Sequence, residues 1–430
     1  MPELAHVRAV VVNHNGGPRT LRTLESLRAL DWPPTALDVV LVDNASSDGV
    51  AALVRRTRDD VRVIDAGANV GFGAGCNLGM GDLAGVDLVA LVNPDAVVEP
   101  DWLWRLAERH QADPRLAAAC PKVLFDVPFV EIELTCATSR LGRGDRRALG
   151  VLVAGAHVGS EDVSRRVQFV DGFWGPEPAS GRSAPHQWSR GEALLRVPAV
   201  GAGCRLLLSA TGRREVRLRS GEARTVVAVD AHPRWYPLAL GGEPVEVINS
   251  VGIDVGDDGY AADRGWLARD QGQWDTPVEV DAWSGAAVVL RADHLRQVGG
   301  FDERLFLYYE DVELSLRARR AGWHHAAVPQ AVARHVHSAT VVTGSALHQH
   351  YSERNRLVVL ATHAPRRVVL GSVVRFLLVT ASYARRDTVA PLLRGARPRW
   401  QVVGLRLGAL AGFARVLARR RAGRARGCPG

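Results

Sequence analysis

From its amino terminus the chain alternates two hydrophobic rhythms. Residues 8–15, RAVVVNHN, are a continuous apolar run closed by polar residues, the pattern of a buried strand. Residues 18–30, PRTLRTLESLRAL, place apolar side chains at helical intervals. LDVVLVDNASSDG (37–49) and VRVID (61–65) read as further strands, and the glycine-rich GFGAGCNLGM (71–80) opens a helix. DLVALVNPDA (87–96) is a fourth strand, and DWLWRLAERH (101–110) a helix with Asp101 as its expected N-cap. Strands alternating with helices predict a mainly parallel sheet with helices on both faces. Ligands of such sheets bind beyond the carboxyl ends of the strands. Asn13, Asp43, Asn44, Asn93 and Asp95 all fall at that edge, so residues remote in sequence are expected to converge.

Near residue 128 the rhythm changes. VEIELT, LGVLVAG, VQFVDGFW, ALLRVPAV, CRLLLSA, REVRLRS and RTVVAVD are short runs, several of period two, separated by turn residues. Regular short strands without helices predict a β-sandwich over 128–247. The α/β pattern resumes at VEVINSVGIDV (245–255), so the sandwich is read as an insertion between two halves of one domain, 1–127 and 248–364. Residues 365–430 read as a basic helical tail. There Val402, Leu405, Leu410, Phe413, Val416 and Leu417 form an apolar stripe, with Arg415, Arg419 and Arg420 on the other side. No internal repeat is evident.

Composition sharpens this picture in two places. The chain of 430 residues carries +8 formally, yet residues 366–430 hold fifteen arginines against one acid, Asp387, so the remainder is acidic. Apolar residues interleaved with those arginines favour an anionic lipid surface over nucleic acid as the tail's partner. The apolar stretch 368–383, interrupted by Arg375, is short and charged for a membrane span. The five cysteines show no metal-like spacing and no disulfide framework, which suggests reduced thiols in the cytoplasm. No signal peptide is read at the start, where a strand-like run follows Met1 within a few residues. The expected location is therefore the inner face of the cell membrane, attached peripherally.

Several short motifs carry candidate chemistry, each with a plain structural alternative. Asp43 could accept the N3–H of a uracil or thymine ring, although Ser46 and Asp48 also suit an N-cap and turn. Asp95 is a hard oxygen donor suited to Mg2+ or Mn2+ beside a diphosphate. Gly71, Gly73 and Gly75 allow close approach of a ligand or of a neighbouring helix. In WSGAA (283–287), Ser284 and Gly285 are small enough to leave room for a ligand, and Trp283 is either a flat apolar face for a ring or simple core packing. Finally LFLYYEDVELSLRARRAGW (305–323) sets two adjacent carboxylates, Glu310 and Asp311, at the head of a helix behind an apolar wall. Capping against the helix dipole explains them in part; a general base does so too.

In order, VVVNHN, VDNASSDG, NVGFGAGCNLG, LVNPDA, WSGAAVVLRADHLRQVGGFDERLFLYYEDVELSLRARRAGW, HVHSAT and YSERNRL resemble the family 2 glycosyltransferases. The branch most similar holds bacterial rhamnosyltransferases and galactofuranosyltransferases. The resemblance covers roughly 1–125 and 248–364. It implies a GT-A fold, an inverting mechanism and a dTDP- or UDP-linked sugar donor. It also implies a glycan or polyprenyl-linked acceptor of the cell envelope, with L-rhamnose or galactofuranose as the sugar. Asp43 would contact the base. Asn93-Pro94-Asp95 stands where the family has an Asp-x-Asp metal motif, so the metal would rest on Asp95 with His335, His337 being the rival. Asn13, Asn15, Asn44, Asn69, Gly71, Asn77, Asn93 and Gly285 are the other candidate donor contacts, and Trp283 the acceptor contact. Asp311 would be the catalytic base, with Glu310 second. The inserted sandwich departs from the family's short link. A non-catalytic carbohydrate-binding scaffold and a nucleotidyltransferase are the competing readings; the second has no need of YYEDVEL.

Overall fold

The computed structural model describes residues 4–142, 145–176, 186–336, 345–393, 395, 397, 398 and 400–425. His337 lies outside them. Two compact units emerge. One comprises residues 1–123, 249–266 and 273–430, and the other residues 124–248 and 267–272.

In the first unit the valine-rich runs become strands β1 (Val7–Asn13), β2 (Leu37–Asp43), β3 (Val61–Asp65) and β4 (Leu88–Val92). They lie side by side in the order β4-β1-β2-β3, and every ladder among them is parallel. β-Branched side chains suit a pleated surface covered on both faces, and β4 is buried along its whole length. The connecting helices are α1 (Pro18–Arg28), α2 (Val50–Thr57) and α3 (Phe72–Met80). After them come a short strand β5 (Ala96–Val98), α4 (Trp102–Ala112) and the long strand β6 (Leu116–Phe125). Asp101 stands at the start of α4 but caps no backbone group; its carboxylate takes Arg105 instead.

On the far side of β4 the sheet continues through Ala287–Arg291, β6, His324–His335 and Val278–Val280. Ala287–Arg291 runs antiparallel to both β4 and β6, and Val278–Val280 antiparallel to His324–His335. The sheet is thus mixed, its first four strands parallel and Ala287–Arg291 antiparallel to both neighbours. The glycines of α3 let that helix lie directly on β1, since a Cβ at Gly75 would meet Val12 at 2.7 Å. One apolar core lies over this sheet, with Trp102, Leu103 and Leu106 of α4 fully buried in it.

The second unit is all β. A hydrogen-bonded path of seven strands, with two more attached, wraps one core of Val, Leu and Ile side chains. Its two halves are joined by the pairing of Leu152–Val153 with Gln187–Trp188.

The first unit ends in helices. After α5 (Ala292–Val298) and α6 (Glu310–Arg320) come α7 (Ala346–His363), α8 (Arg366–Ala384), a π-helical turn at Arg385–Val389, α9 (Ala390–Leu393) and α10 (Gln401–Ala425). Ala409, Phe413 and Val416 of α10 are buried with Leu357, Val358 and Phe376. The apolar stripe of the tail therefore packs inward on α7 and α8. Exposed apolar residues of the tail include Leu370, Val374, Leu377 and Leu378 of α8, Leu392 and Leu393 of α9, and Leu407 of α10. Two stretches, Arg366–Leu393 and Gln401–Ala418, are long and apolar enough to cross a membrane by length and composition. The first exceeds the sequence expectation because the π turn carries the helix on past Arg385.

Candidate active site

The carboxyl ends of β1, β2 and β4 adjoin because the strands are in register, Asn13 beside Asp43. Asn13 is fully buried and spends its amide on the loops around it. Its Nδ2 donates to Ser46 Oγ (3.0 Å) and Asp48 Oδ2 (3.1 Å), and its Oδ1 accepts from Gly16 N and Thr20 Oγ1. Asn15, at φ 59°, accepts from Ser47 N at 2.8 Å. Asp43 Oδ1 accepts from Ser46 N at 3.1 Å. Hydrogen bonds from Gly17, Val50 and Asn13 outweigh burial and hold the Asp48 carboxyl below its usual range.

Asn44 and Asn69 pin the glycine-rich loop. Asn44 Nδ2 donates to Asn69 Oδ1 and Gly71 O, and its Oδ1 accepts from Val70 N. Gly71 sits at φ 89°, where a Cβ would run into the carbonyl of Phe306. Phe72 N donates to that same carbonyl at 2.8 Å. Asn77 holds the loop before α6, donating to Phe301 O and Glu303 Oε1 while accepting from Phe301 N.

At the end of β4, His335 Nε2 lies 3.1 Å from Asp95 Oδ1 and 3.4 Å from Asn93 Nδ2; its Nδ1 lies 3.4 Å from Asn249 Oδ1. Both His335 and the Asp95 carboxylate are nearly enclosed. One carboxylate and one imidazole suit Mg2+ or Mn2+ only if further ligands arrive with the substrate. Among the described residues no group of three or more His, Cys, Asp or Glu is placed to hold an ion alone.

Asn93 N donates to Ala286 O at 2.9 Å, and the preceding residue, Gly285, donates its N–H to Asp311 Oδ2 at 3.2 Å. The strand-end corner and the carboxylate at the head of α6 are thereby two adjacent residues apart. The Phe72 ring fills the space that a side chain at Gly285 would take, 3.2 Å from a Cβ there. Asp311 Oδ1 also accepts from Val312 N. Burial raises its pKa against those two hydrogen bonds. Glu310 is pushed up as well, by burial first and then by the Asp311 charge, and its Oε2 has no hydrogen-bond partner.

The segment before them is strained. Phe306, Tyr308 and Tyr309 all take left-handed φ, between 64° and 69°, which L residues rarely adopt. Buried Asn355 compensates. Its Nδ2 lies within 2.9 Å of the carbonyls of Leu305, Leu307 and Tyr308. Arg354 donates to Arg304 O and Leu305 O. Both residues, from YSERNRL, thus support the loop. Trp283 requires a correction. It is fully buried, its ring edge-on to Phe301 at 6.1 Å, so it offers no face to an acceptor in this conformation. Asp263, which no motif marked, joins the site through Ser250 and the charges of Asp311 and His335.

Residues 9–154 match the family described as Glycosyl transferase family 2, and residues 271–359 that described as Glycosyltransferase like family 2. A relative from Mycobacterium tuberculosis, in strains CDC 1551 / Oshkosh and ATCC 25618 / H37Rv, is N-acetylglucosaminyl-diphospho-decaprenol L-rhamnosyltransferase. It is 24% identical over 336 residues, 76% of this chain and 74% of its own. Among solved structures, GalNAc-T7 with UDP, GalNAc and Mn2+ is 12% identical at TM-score 0.46, covering 84% of this chain and 48% of that one. The chain thus spans about half the length of that protein. The mannosyltransferase PcManGT from Pyrobaculum calidifontis, in complex with GDP-Man and Mn2+, is 14% identical at TM-score 0.42, covering 97% and 88%. The mixed sheet with its strand-end site has the GT-A architecture. The chain belongs to the family 2 glycosyltransferases.

Proposed function

We propose that the chain is an inverting, metal-dependent glycosyltransferase. It moves a sugar from a dTDP- or UDP-linked donor to a polyprenyl-linked or cell-envelope glycan acceptor. The relative's name and the branch resemblance favour L-rhamnose, with galactofuranose as the other candidate. The observation that carries this reading is the pair of adjacent bonds, Asn93 N to Ala286 O and Gly285 N to Asp311 Oδ2, which sets the Asp311 carboxylate beside the strand-end corner.

Asp43 and the Asn13–Asn44–Asn69 network hold the nucleoside end of the donor. Asp95 and His335 would hold Mg2+ or Mn2+ together with the diphosphate oxygens. Bound there, the ion supplies charge neutralisation for the leaving nucleoside diphosphate. Asp311 faces the acceptor and takes its hydroxyl proton as the new glycosidic bond forms. Desolvation makes it a stronger base than an exposed aspartate. The apolar wall of Leu305 to Tyr309 excludes water from the anomeric carbon. No covalent enzyme intermediate is needed.

Exposed apolar residues of α8, with Arg366 and Arg367 at its start and Arg385 and Arg386 just past its end, support a seat on an anionic cytoplasmic membrane face. A lipid-linked acceptor would be met there.

Asp311→Asn is the test. Thermal shifts with dTDP- and UDP-sugars, with and without Mn2+ or Mg2+, should match wild type. Transfer to a synthetic N-acetylglucosaminyl-diphospho-polyprenol should fall by about 10²–10⁴-fold, the usual worth of a general base. Normal turnover in the variant removes Asp311 from the mechanism, and shifts that ignore metal remove the ion.

A further inference from the structure

A cavity of about 530 Å3 lies within the first unit, between α7, α8, α10 and the turn that precedes the short strand Ala261–Asp263. Among the described residues that line it, none belongs to the strand-end corner or to the Glu310–Asp311 pair. One wall is apolar, formed by Val368, Phe376 and Val379 of α8. The opposite chemistry stands beside it. The Glu353 carboxylate takes Arg356 on one oxygen at 3.1 Å and Arg406 on the other at 3.2 Å. Arg356 is buried and Arg406 mostly covered. Their guanidiniums stack over Tyr260 and Phe376, 4.1 and 4.0 Å from the ring centroids, which holds them in place. Two cations thus share one carboxylate away from bulk water, an excess of one positive charge. The other charges of the lining are at the rim: Arg375 faces Asp258 at 3.6 Å and is exposed, as is Asp257.

Gly371 opens the cavity further. A glycine inside a helix costs stability relative to alanine, and close packing does not explain this one, since a Cβ there would meet nothing within 4 Å. What the glycine provides is room. The exposed apolar residues Leu370, Val374 and Leu378 each precede a lining residue, Gly371, Arg375 and Val379, so the cavity face and the apolar outer face of α8 adjoin. On the inner side Tyr260 lines the cavity, and the next residue, Ala261, donates its N–H to the Tyr309 hydroxyl at 3.2 Å, two residues before Asp311.

We propose that this cavity binds the phosphate end of a lipid. The phosphate meets Arg356 and Arg406 and offsets their surplus charge, and the first carbons of the chain lie against Val368, Phe376 and Val379. Arg375 guards the entrance from the side of α8 that carries the exposed leucines. Two sources supply this chemistry, the diphosphate of a polyprenyl-linked acceptor and the head group of an anionic phospholipid. The inference goes beyond the transfer reaction and does not depend on Asp311 being the base.

Isothermal titration of the full chain in EDTA, without nucleotide or membrane, tests it. The probes are geranyl diphosphate and monomeric dihexanoylphosphatidylglycerol, with inorganic diphosphate and geraniol as controls. At least one lipid phosphate should bind more tightly than both controls; which one does so identifies the source. Gly371→Trp, which fills the cavity, should weaken that binding by about ten-fold or more, whereas Gly371→Ala should bind as wild type and melt no lower. Should the tryptophan variant melt early, Arg375→Glu changes an exposed side chain and should still weaken binding by about ten-fold. Neither lipid binding better than the controls overturns the inference, as does binding that both Gly371→Trp and Arg375→Glu leave intact. No measurement here uses transfer, so an active Asp311→Asn variant would overturn the base assignment alone.

Discussion

At the scale of single residues the site is built from amides and left-handed backbone. Three non-glycine residues with positive φ in a span of four cost on the order of 1 kcal/mol each. The Asn355 amide gathers the carbonyls that this conformation turns inward. Asn355→Ala should therefore cost about 2–3 kcal/mol, since buried carbonyls lose their donor. It should also lower transfer more than donor binding, because the loop aims Asp311. Urea denaturation beside a transfer assay checks both; unchanged stability would show the loop holding its shape unaided. The sequence marked Glu310 and Asp311 as a pair but gave no sign of this support. A positive φ at Phe or Tyr has no composition signal, unlike one at glycine. Asp263 was invisible for a related reason, being a lone acid in AADRGW whose place at the site comes only from what packs around it. Trp283 was legible as an aromatic beside the site, but whether its ring faces a ligand or Phe301 is decided by packing.

At the scale of elements, the parallel strands were readable because their β-branched runs are continuous and each ends in polar residues. The antiparallel return of Ala287–Arg291 was not, since orientation in a sheet depends on connections and leaves no mark on periodicity. The tail shows the same division. Its apolar stripe on α10 was visible at helical spacing, but its partner is α7 and α8, and α8 itself leaves an apolar face exposed. Leu370, Val374, Leu377 and Leu378 recur at i, i+4, i+7 and i+8, one face of the helix. Lipid contact there predicts that a Leu377→Glu, Leu378→Glu double variant floats poorly with phosphatidylglycerol vesicles while its melting temperature stays within a degree or two. Each leucine contributes about 1.5–3 kcal/mol when fully buried, so the loss should be ten-fold or more. Flotation equal to wild type would place membrane contact elsewhere.

At the scale of the whole molecule, the site makes stability depend on pH in an unusual direction. Most paired carboxylates stabilise a fold above their unfolded range; Glu313 is of that kind, held low, against the opposing effect of burial, by His363 and Arg317. Asp263, Asp311 and Glu310 are raised instead, each by burial first. A raised acid binds its proton more tightly in the folded chain than in the unfolded one. Its contribution is therefore fully present below the unfolded range near 4 and is lost as pH rises through the folded value, about 6 for Asp263. Two units correspond to roughly 3 kcal/mol. Asp263→Asn removes that penalty, so at pH 7.5 it should melt no lower than wild type, and the gain over wild type should shrink as pH falls from 6 to 4. Calorimetry across that range, on both proteins, reads the difference directly. A gain that grows instead on acidification would mean that the Asp263 charge is stabilised by its surroundings, and the site would then be storing no electrostatic strain at that carboxylate.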